Sequence, residues 1–373
     1  IVEALGRTPM GWDEMQTSHL SPNTVLLAWR GLDEAHRARK LGYPVIAMPN
    51  QSTYLNVPQP GQAPDAALRT LSLDDVLAFS FTTPASAEAE RSLAPLLGGE
   101  ASLWTEDVRD LNEIDRLLFP RLAVLADALW NGSPLPRATF ERLWEARLTE
   151  LDSARIDYFV EPPTAFAGRH VFVGGESLPA PATSHWPIYV SIDGAPEAPY
   201  REQLSVHTST RVSAAVVLPN GRRSSRATGI FLKEQYRPAR KAPRASSYAY
   251  YEGSYSRLPD FAGEKPVRSG TFTTLSLSFD HRPEDFAVRF ERSFVVPEDG
   301  VYTFEVLSDD GASLYVDDER VVHDDSLHAA RVVKGQIALG RGLHDLRLDY
   351  FQGKGGADLK VEFTGPSVLR NRL

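Results

Sequence analysis

Short apolar runs ending in aromatic or polar residues punctuate the first part of the chain, at 8–12, 25–29, 45–48 and 101–104. Each has the length and composition of a strand. Between them lie stretches with helical spacing, at 32–41 and 73–77. Strand and helix in alternation predict parallel β/α units. Two helical patterns follow, over 113–128 and 139–156. The second places Leu143, Trp144, Leu148 and Leu151 at helical spacing behind Pro136. From Phe159 onward the helix signals stop. The alternating runs 188–192, which ends on Asp193-Gly194, and 211–218, followed by Pro219-Asn220-Gly221, predict a small β-sandwich over 159–245. The basic, proline-containing stretch from Arg237 to Arg244 reads as a solvated linker. Beyond it, runs at 271–279, 287–296, 300–307, 313–316 and 343–351 predict an all-β domain over 246–373.

A chain of 373 residues is long enough for two or three domains with sizeable cores. A net charge of −9 disfavours nucleic acid or an anionic membrane as partner, and no apolar run approaches the roughly 20 residues of a membrane span. The absence of cysteine excludes disulfides and thiolate chemistry. The start, Ile1-Val2-Glu3-Ala4-Leu5-Gly6, has neither a basic segment nor a signal-like apolar segment. It reads as the tail of a helix in a truncated or processed chain. Four strands make half of a closed (β/α)8 barrel, which would leave two exposed edges.

The candidate chemistry lies at the ends of the runs in 1–158: Gly11-Trp12-Asp13-Glu14, Trp29-Arg30-Gly31, Tyr54-Leu55-Asn56 and Trp104-Thr105-Glu106. Barrel enzymes carry function at the C-terminal ends of their strands. An indole and a carboxylate two residues apart on a strand face the same way, which suits a sugar with one flat C–H face and a ring of hydroxyls. These four motifs, in this order and joined by Gly98-Gly99-Glu100 and Leu71-Ser72-Leu73-Asp74-Asp75-Val76, resemble the second half of the catalytic barrel of family 20 glycoside hydrolases, the β-N-acetylhexosaminidases.

That resemblance implies a substrate-assisted retaining mechanism, in which the substrate's 2-acetamido oxygen attacks the anomeric carbon. It makes Tyr54 the catalytic hydrogen-bond donor to that oxygen. Trp12, Trp29 and Trp104 become the walls of an N-acetylglucosamine pocket, with Asn56 and Glu106 holding sugar hydroxyls. The family usually has Asp at the position of Asn56. Its adjacent Asp-Glu acid–base pair falls upstream of Ile1, and Asp13-Glu14 is not that pair. Asp13, Glu14 and Glu100 read instead as structural or solvated, and Trp130 and Trp144 as packing residues.

The middle region, with Tyr189, Asp193-Gly194-Ala195-Pro196, Tyr200 and Asn220-Gly221-Arg222, resembles the small C-terminal β domain of chitobiase-like enzymes. In the third region Gly300-Val301-Tyr302-Thr303-Phe304, Ser308-Asp309-Asp310-Gly311, Leu314-Tyr315-Val316-Asp317, Gly342-Leu343-His344 and Tyr350-Phe351 resemble the PA14 domain. No cofactor is implied for the barrel. In the third domain Asp309 and Asp310 offer hard oxygens for calcium, with Asp317, Asp318, Asp324 and Asp325 nearby in sequence; the alternative is a turn whose carboxylates cap backbone N–H groups. Together these resemblances imply the C-terminal portion of a secreted or periplasmic β-N-acetylhexosaminidase acting on amino-sugar glycans or chitooligosaccharides. The alternative is a non-catalytic glycan-binding or cell-surface protein with a degenerate barrel.

Overall fold

The computed structural model describes residues 1–16, 20–62, 69–81, 92–106, 108–180 and 186–373. Its first region is built on a four-stranded parallel sheet in sequential order: β1 (Met10–Trp12), β2 (Val25–Ala28), β3 (Val45–Ala47) and β4 (Leu96–Gly99). This is a consecutive piece of a (β/α)8 barrel, as the alternation predicts. The central strands are apolar throughout, with one face fully buried and Leu27 and Ile46 on the other half-buried. Leu26, Ala28, Val45 and Ala47 are fully buried. Helix α1 (Leu32–Lys40) joins β2 to β3 and packs Ala35 and Ala38 against Leu26 and Val45.

The fourth strand differs from the expected 101–104. It ends at Gly99, where the ring of Phe81 lies against the backbone and would stand 2.1 Å from any added Cβ. The chain past Gly99 leaves the sheet and runs beside the segment that follows β3. Ser102 N–H donates to Thr53 O (3.0 Å) and Leu55 N–H donates to Ser102 O (2.7 Å). The extended pattern of 101–104 therefore pairs with a loop instead of a strand.

The two long helical patterns are each split in two. Leu111–Leu118 and Arg121–Asn131 are separated by Phe119-Pro120. Proline cannot continue the helical hydrogen bonding and holds the preceding residue extended. Arg137–Glu145 and Leu148–Ser153 make up the second pattern. Trp144 is buried among Phe119, Phe140 and Tyr158, but Trp130 is 91% exposed. The buried stripe of its helix runs through Arg121, Val124, Leu125 and Ala128, and position 130 falls outside it.

The middle region holds a five-stranded sheet in the order Gly168–Phe172, Ala227–Lys233, Thr210–Val216, Ile188–Ile192 and Ala198–Pro199, with a two-stranded ribbon of Glu176–Ser177 and Ser205–Val206. Its apolar face, including Val190, Val212, Ala214 and Phe231, shares one core with Phe140, Trp144 and Leu148 of the helices.

The third region is a sandwich of a six-stranded and a four-stranded sheet. The inner faces close over Phe290, Phe304, Leu314, Leu348 and Phe363. The run 271–279 is not a strand beyond Thr271. Its apolar residues are used for packing, with Phe272 against Phe290 and Phe279 stacked on Tyr248, but no ladder forms.

The basic stretch before this domain is mostly exposed, as a solvated linker would be, and its arginines also pair with acids of the sandwich. Arg237 pairs with Glu319 (3.0 Å), Arg240 with Asp317 (3.1 Å) and Asp318 (3.0 Å), and Arg244 with Glu291 (2.6 Å). Gln336 ties the sandwich to the middle sheet. Its carbonyl accepts from Arg169 Nη1 and its side-chain oxygen from Val171 N–H, each at 2.9 Å.

Candidate active site

Three predicted residues converge at the C-terminal ends of the parallel strands. Trp12 closes β1, Tyr54 follows the short helix Asn50–Thr53 after β3, and Trp104 lies five residues past β4. The Trp12 and Trp104 ring centroids are 6.4 Å apart, and those of Tyr54 and Trp104 are 6.0 Å apart. Both indoles remain 40% exposed. Two neighbouring indoles with open faces form a surface on which a flat apolar ligand face can stack.

The Trp104 indole lies beside the Tyr54 phenol. Indole N–H is donor only, so Trp104 leaves the phenol's own proton free for another acceptor. Burial raises the Tyr54 phenol above its ordinary range, the Trp104 indole pulls it back, and the Asp13, Glu14 and Glu100 carboxylates add to the rise. At neutral pH Tyr54 is therefore a protonated donor.

Trp29 is half-buried just past β2. Its indole is the main reason the neighbouring Glu14 carboxyl lies below its usual range. Asp13 moves the other way, raised first by burial and then by Glu14, with Arg30 opposing both. Asp13 is 1% exposed and accepts from Arg30 Nε at 3.1 Å. Asp13 thus anchors Arg30.

Asn56 is half-buried, and its Oδ1 is buried with no hydrogen-bond partner among the described residues, an acceptor left for a ligand donor. Glu106 is exposed in the turn after Trp104, and Glu100 is exposed after β4. No hydrogen bond joins Glu106 to the aromatic group among the described residues, so the structure does not draw Trp104 and Glu106 together as tightly as strand alternation predicts. The chain there is irregular and the alternation does not apply.

In the third domain the Asp310 carboxylate has its hydrogen bonding within the protein. Asp310 is 4% exposed; its Oδ1 accepts from His328 N–H (2.7 Å) and its Oδ2 from Gly353 N–H (2.8 Å). The neighbouring carboxylates are engaged elsewhere: Asp317 with His344 and Arg240, Asp324 with Arg331, and Asp325 with Leu258 N–H. Among the described residues no group of three or more His, Cys, Asp or Glu side chains is gathered to hold a metal. The Asp310 carboxylate caps two backbone N–H groups of the sandwich. No helix among the described residues is long and apolar enough to cross a membrane.

Comparison with known proteins places the two ends of the chain. Residues 1–133 match the model for glycosyl hydrolase family 20, catalytic domain, and residues 244–371 match that for the PA14 domain. A β-hexosaminidase of Porphyromonas gingivalis is 24% identical over 346 residues, covering 86% of this chain and 44% of that protein. A β-N-acetylhexosaminidase of Cellulomonas fimi is 29% identical over 138 residues, covering 35% of this chain and 27% of that protein. The solved exo β-N-acetylglucosaminidase of Vibrio harveyi in complex with N-acetylglucosamine is 25% identical, covering 42% of this chain and 25% of that one at a TM-score of 0.37, too loose a superposition to transfer any residue. The chain spans less than half the length of these curated relatives. Residues 1–133 are therefore a stretch of glycosyl hydrolase family 20 catalytic domain, and residues 244–371 are a PA14 domain.

Proposed function

We propose that this chain is the C-terminal portion of a β-N-acetylhexosaminidase that removes terminal non-reducing N-acetylglucosamine or N-acetylgalactosamine by a substrate-assisted retaining mechanism. The observation that carries this reading is the Trp12–Tyr54–Trp104 group, which joins two open indole faces to a protonated phenol. The indoles and Trp29 would wall the sugar ring. Asn56 Oδ1 would accept from a hydroxyl, and the exposed Glu106 carboxylate would accept from others. Tyr54 would donate to the acetamide oxygen as that oxygen turns nucleophilic. The bond strengthens as the oxygen attacks C1 and the acetamide closes to an oxazoline, so it stabilises the transition state more than the bound substrate. Proton transfer to the leaving oxygen, and later from the attacking water, belongs to an Asp-Glu pair upstream of Ile1. The PA14 domain would supply a second contact with amino-sugar glycans or chitooligosaccharides.

The test is hydrolysis of a chromogenic N-acetylglucosaminide by a protein that carries this chain within a complete catalytic domain. Turnover with retention of configuration, inhibited by an oxazoline analogue, is the expected result. Binding of the analogue without any turnover would replace this reading with a glycan-binding protein.

A further inference from the structure

Arg121 opens the helix Arg121–Asn131 and has no exposed surface. A guanidinium has five N–H donors, and here all five meet backbone carbonyls. Nε and Nη2 donate to Leu117 O (3.3 and 2.6 Å), Nη2 also to Leu55 O (2.7 Å), and Nη1 to Val57 O (2.7 Å) and Leu71 O (3.0 Å). Among the described residues no carboxylate hydrogen-bonds to it. Burial pulls its pKa down to about 9, and the charge of Glu161 opposes that fall, so the group is cationic at neutral pH. A buried cation held by carbonyl dipoles alone is costly, and the fold keeps it at one place.

That place is the underside of the site. Leu55 and Val57 flank Asn56 and directly follow Tyr54. The segment is irregular, with Val57 N–H folded back onto Tyr54 O (3.2 Å), so its other carbonyls have no strand partner. On its other side Leu55 N–H is bound to Ser102 O, two residues before Trp104. Tyr54 is thus gripped between Ser102, which sets its distance from Trp104, and Arg121, which gathers the carbonyls of 55 and 57.

We infer that Arg121 is a positioning residue for the Tyr54–Asn56 segment, fixing the aim of the phenol and of the Asn56 amide at the bound acetamido sugar. This rests on the hexosaminidase reading for what the phenol does, but not for how the segment is held. A lysine cannot substitute. Its ammonium has three donors from one point, where five from a planar fork are needed.

The test compares Arg121→Lys with the parent in the complete catalytic domain, by amide hydrogen exchange and by kinetics. Protection of the Leu55 and Val57 amides is expected to fall at least about tenfold, while Leu26 and Val45 in the sheet are unchanged. The value of kcat is expected to drop about 10- to 100-fold with KM within about threefold. In a Tyr54→Phe background the same change should cost little more, because the aimed group is already gone. Unchanged protection at 55 and 57, a loss spread evenly over the sheet, or an undiminished kcat effect in the Tyr54→Phe background would each overturn the positioning role. If Tyr54→Phe alone leaves kcat intact, the hexosaminidase reading fails, and the exchange data still decide on Arg121. Should Arg121→Lys not fold, the guanidinium protons of the parent serve instead. Separate, slowly exchanging Nη–H resonances support the five-bond grip, and a single averaged resonance removes it.

Discussion

The Trp104 indole and the Tyr54 phenol lie with ring centroids 6.0 Å apart and planes tilted by 57°. An indole N–H is donor only, so the phenol keeps its own proton to give. In the complete catalytic domain Tyr54→Phe is therefore expected to lower kcat by about 10²–10³-fold, in line with the loss of one preorganised donor. KM should move far less, because the bond is worth most when charge has built up on the acetamide oxygen. Steady-state kinetics on a chromogenic N-acetylglucosaminide checks this. A change confined to KM would reduce Tyr54 to a binding residue.

The two indoles stay 40% exposed although they are large and apolar, which leaves their faces free for a ligand. Trp104→Ala should weaken an N-acetylglucosamine-derived oxazoline analogue about tenfold or more through lost stacking. Glu106→Gln should also weaken it, because a charge-assisted hydrogen bond becomes a neutral one. Inhibition constants measured on variants with parental circular dichroism are the readout. Unchanged constants would make both residues bystanders.

What was readable in the sequence, and what was not, divides on where the hydrogen-bond partners come from. Strands β1 to β3 and the interior sandwich strands Phe286–Val296, Gly300–Asp309, Ala312–Val316 and Gly342–Gln352 followed from their apolar or alternating runs, since burying one face or two leaves a direct mark on residue type. The end of β4 did not, because Gly98-Gly99 looks like a lead-in turn; the second glycine is required by the Phe81 ring packed against it. The 271–279 run alternates as a strand does, yet its apolar side chains fill the core edge without a neighbouring ladder. Trp12, Tyr54 and Trp104 were legible because aromatic residues at strand ends are poor core choices. Arg121 was not, because an arginine in a helical pattern reads as a solvated cation, and its partners are backbone carbonyls, which carry no sequence signature.

Asp310 supplies the acceptors for two backbone N–H groups in the sandwich, those of His328 and Gly353. Asp310→Ala leaves both donors buried without partners, at a cost of about 2–5 kcal/mol. Asp310→Asn should fall between, since the amide keeps one acceptor but turns its NH2 toward the other donor. Chemical unfolding followed by far-UV circular dichroism measures the order. An alanine variant within about 0.5 kcal/mol of the parent would show that water replaces the carboxylate.

The stability of the PA14 domain should fall as pH rises through the neutral range, and His344 is the reason. Its ring is fully buried, with Nδ1 2.6 Å from Asp317 Oδ2 and Nε2 2.7 Å from the Gly340 carbonyl. Both neighbours are acceptors, so both ring nitrogens carry protons and the group is an imidazolium. Burial alone would lower its pKa; the Asp317 hydrogen bond, the Gly340 carbonyl and the Asp317 charge outweigh burial and the opposing Arg240, and the net shift is upward. A folded-state value above the unfolded one, which is about 6.5, means that the stabilisation is complete below that pH and is lost as pH climbs through the folded value. Asp317 has the opposite sign. Burial opposes its ionisation, but His344, the Asp345 N–H and Arg240 hold it below its usual range. Its contribution is therefore present above about 3.9 and is lost as pH falls through the depressed folded value. The pair is worth most between those limits. Scanning calorimetry from pH 5 to 9 should show the PA14 transition moving to lower temperature above about pH 6.5. His344→Gln should unfold at lower temperature at pH 5.5 and lack the alkaline decline. Equal alkaline slopes in parent and variant would assign the decline to other groups and leave His344 a neutral packing residue.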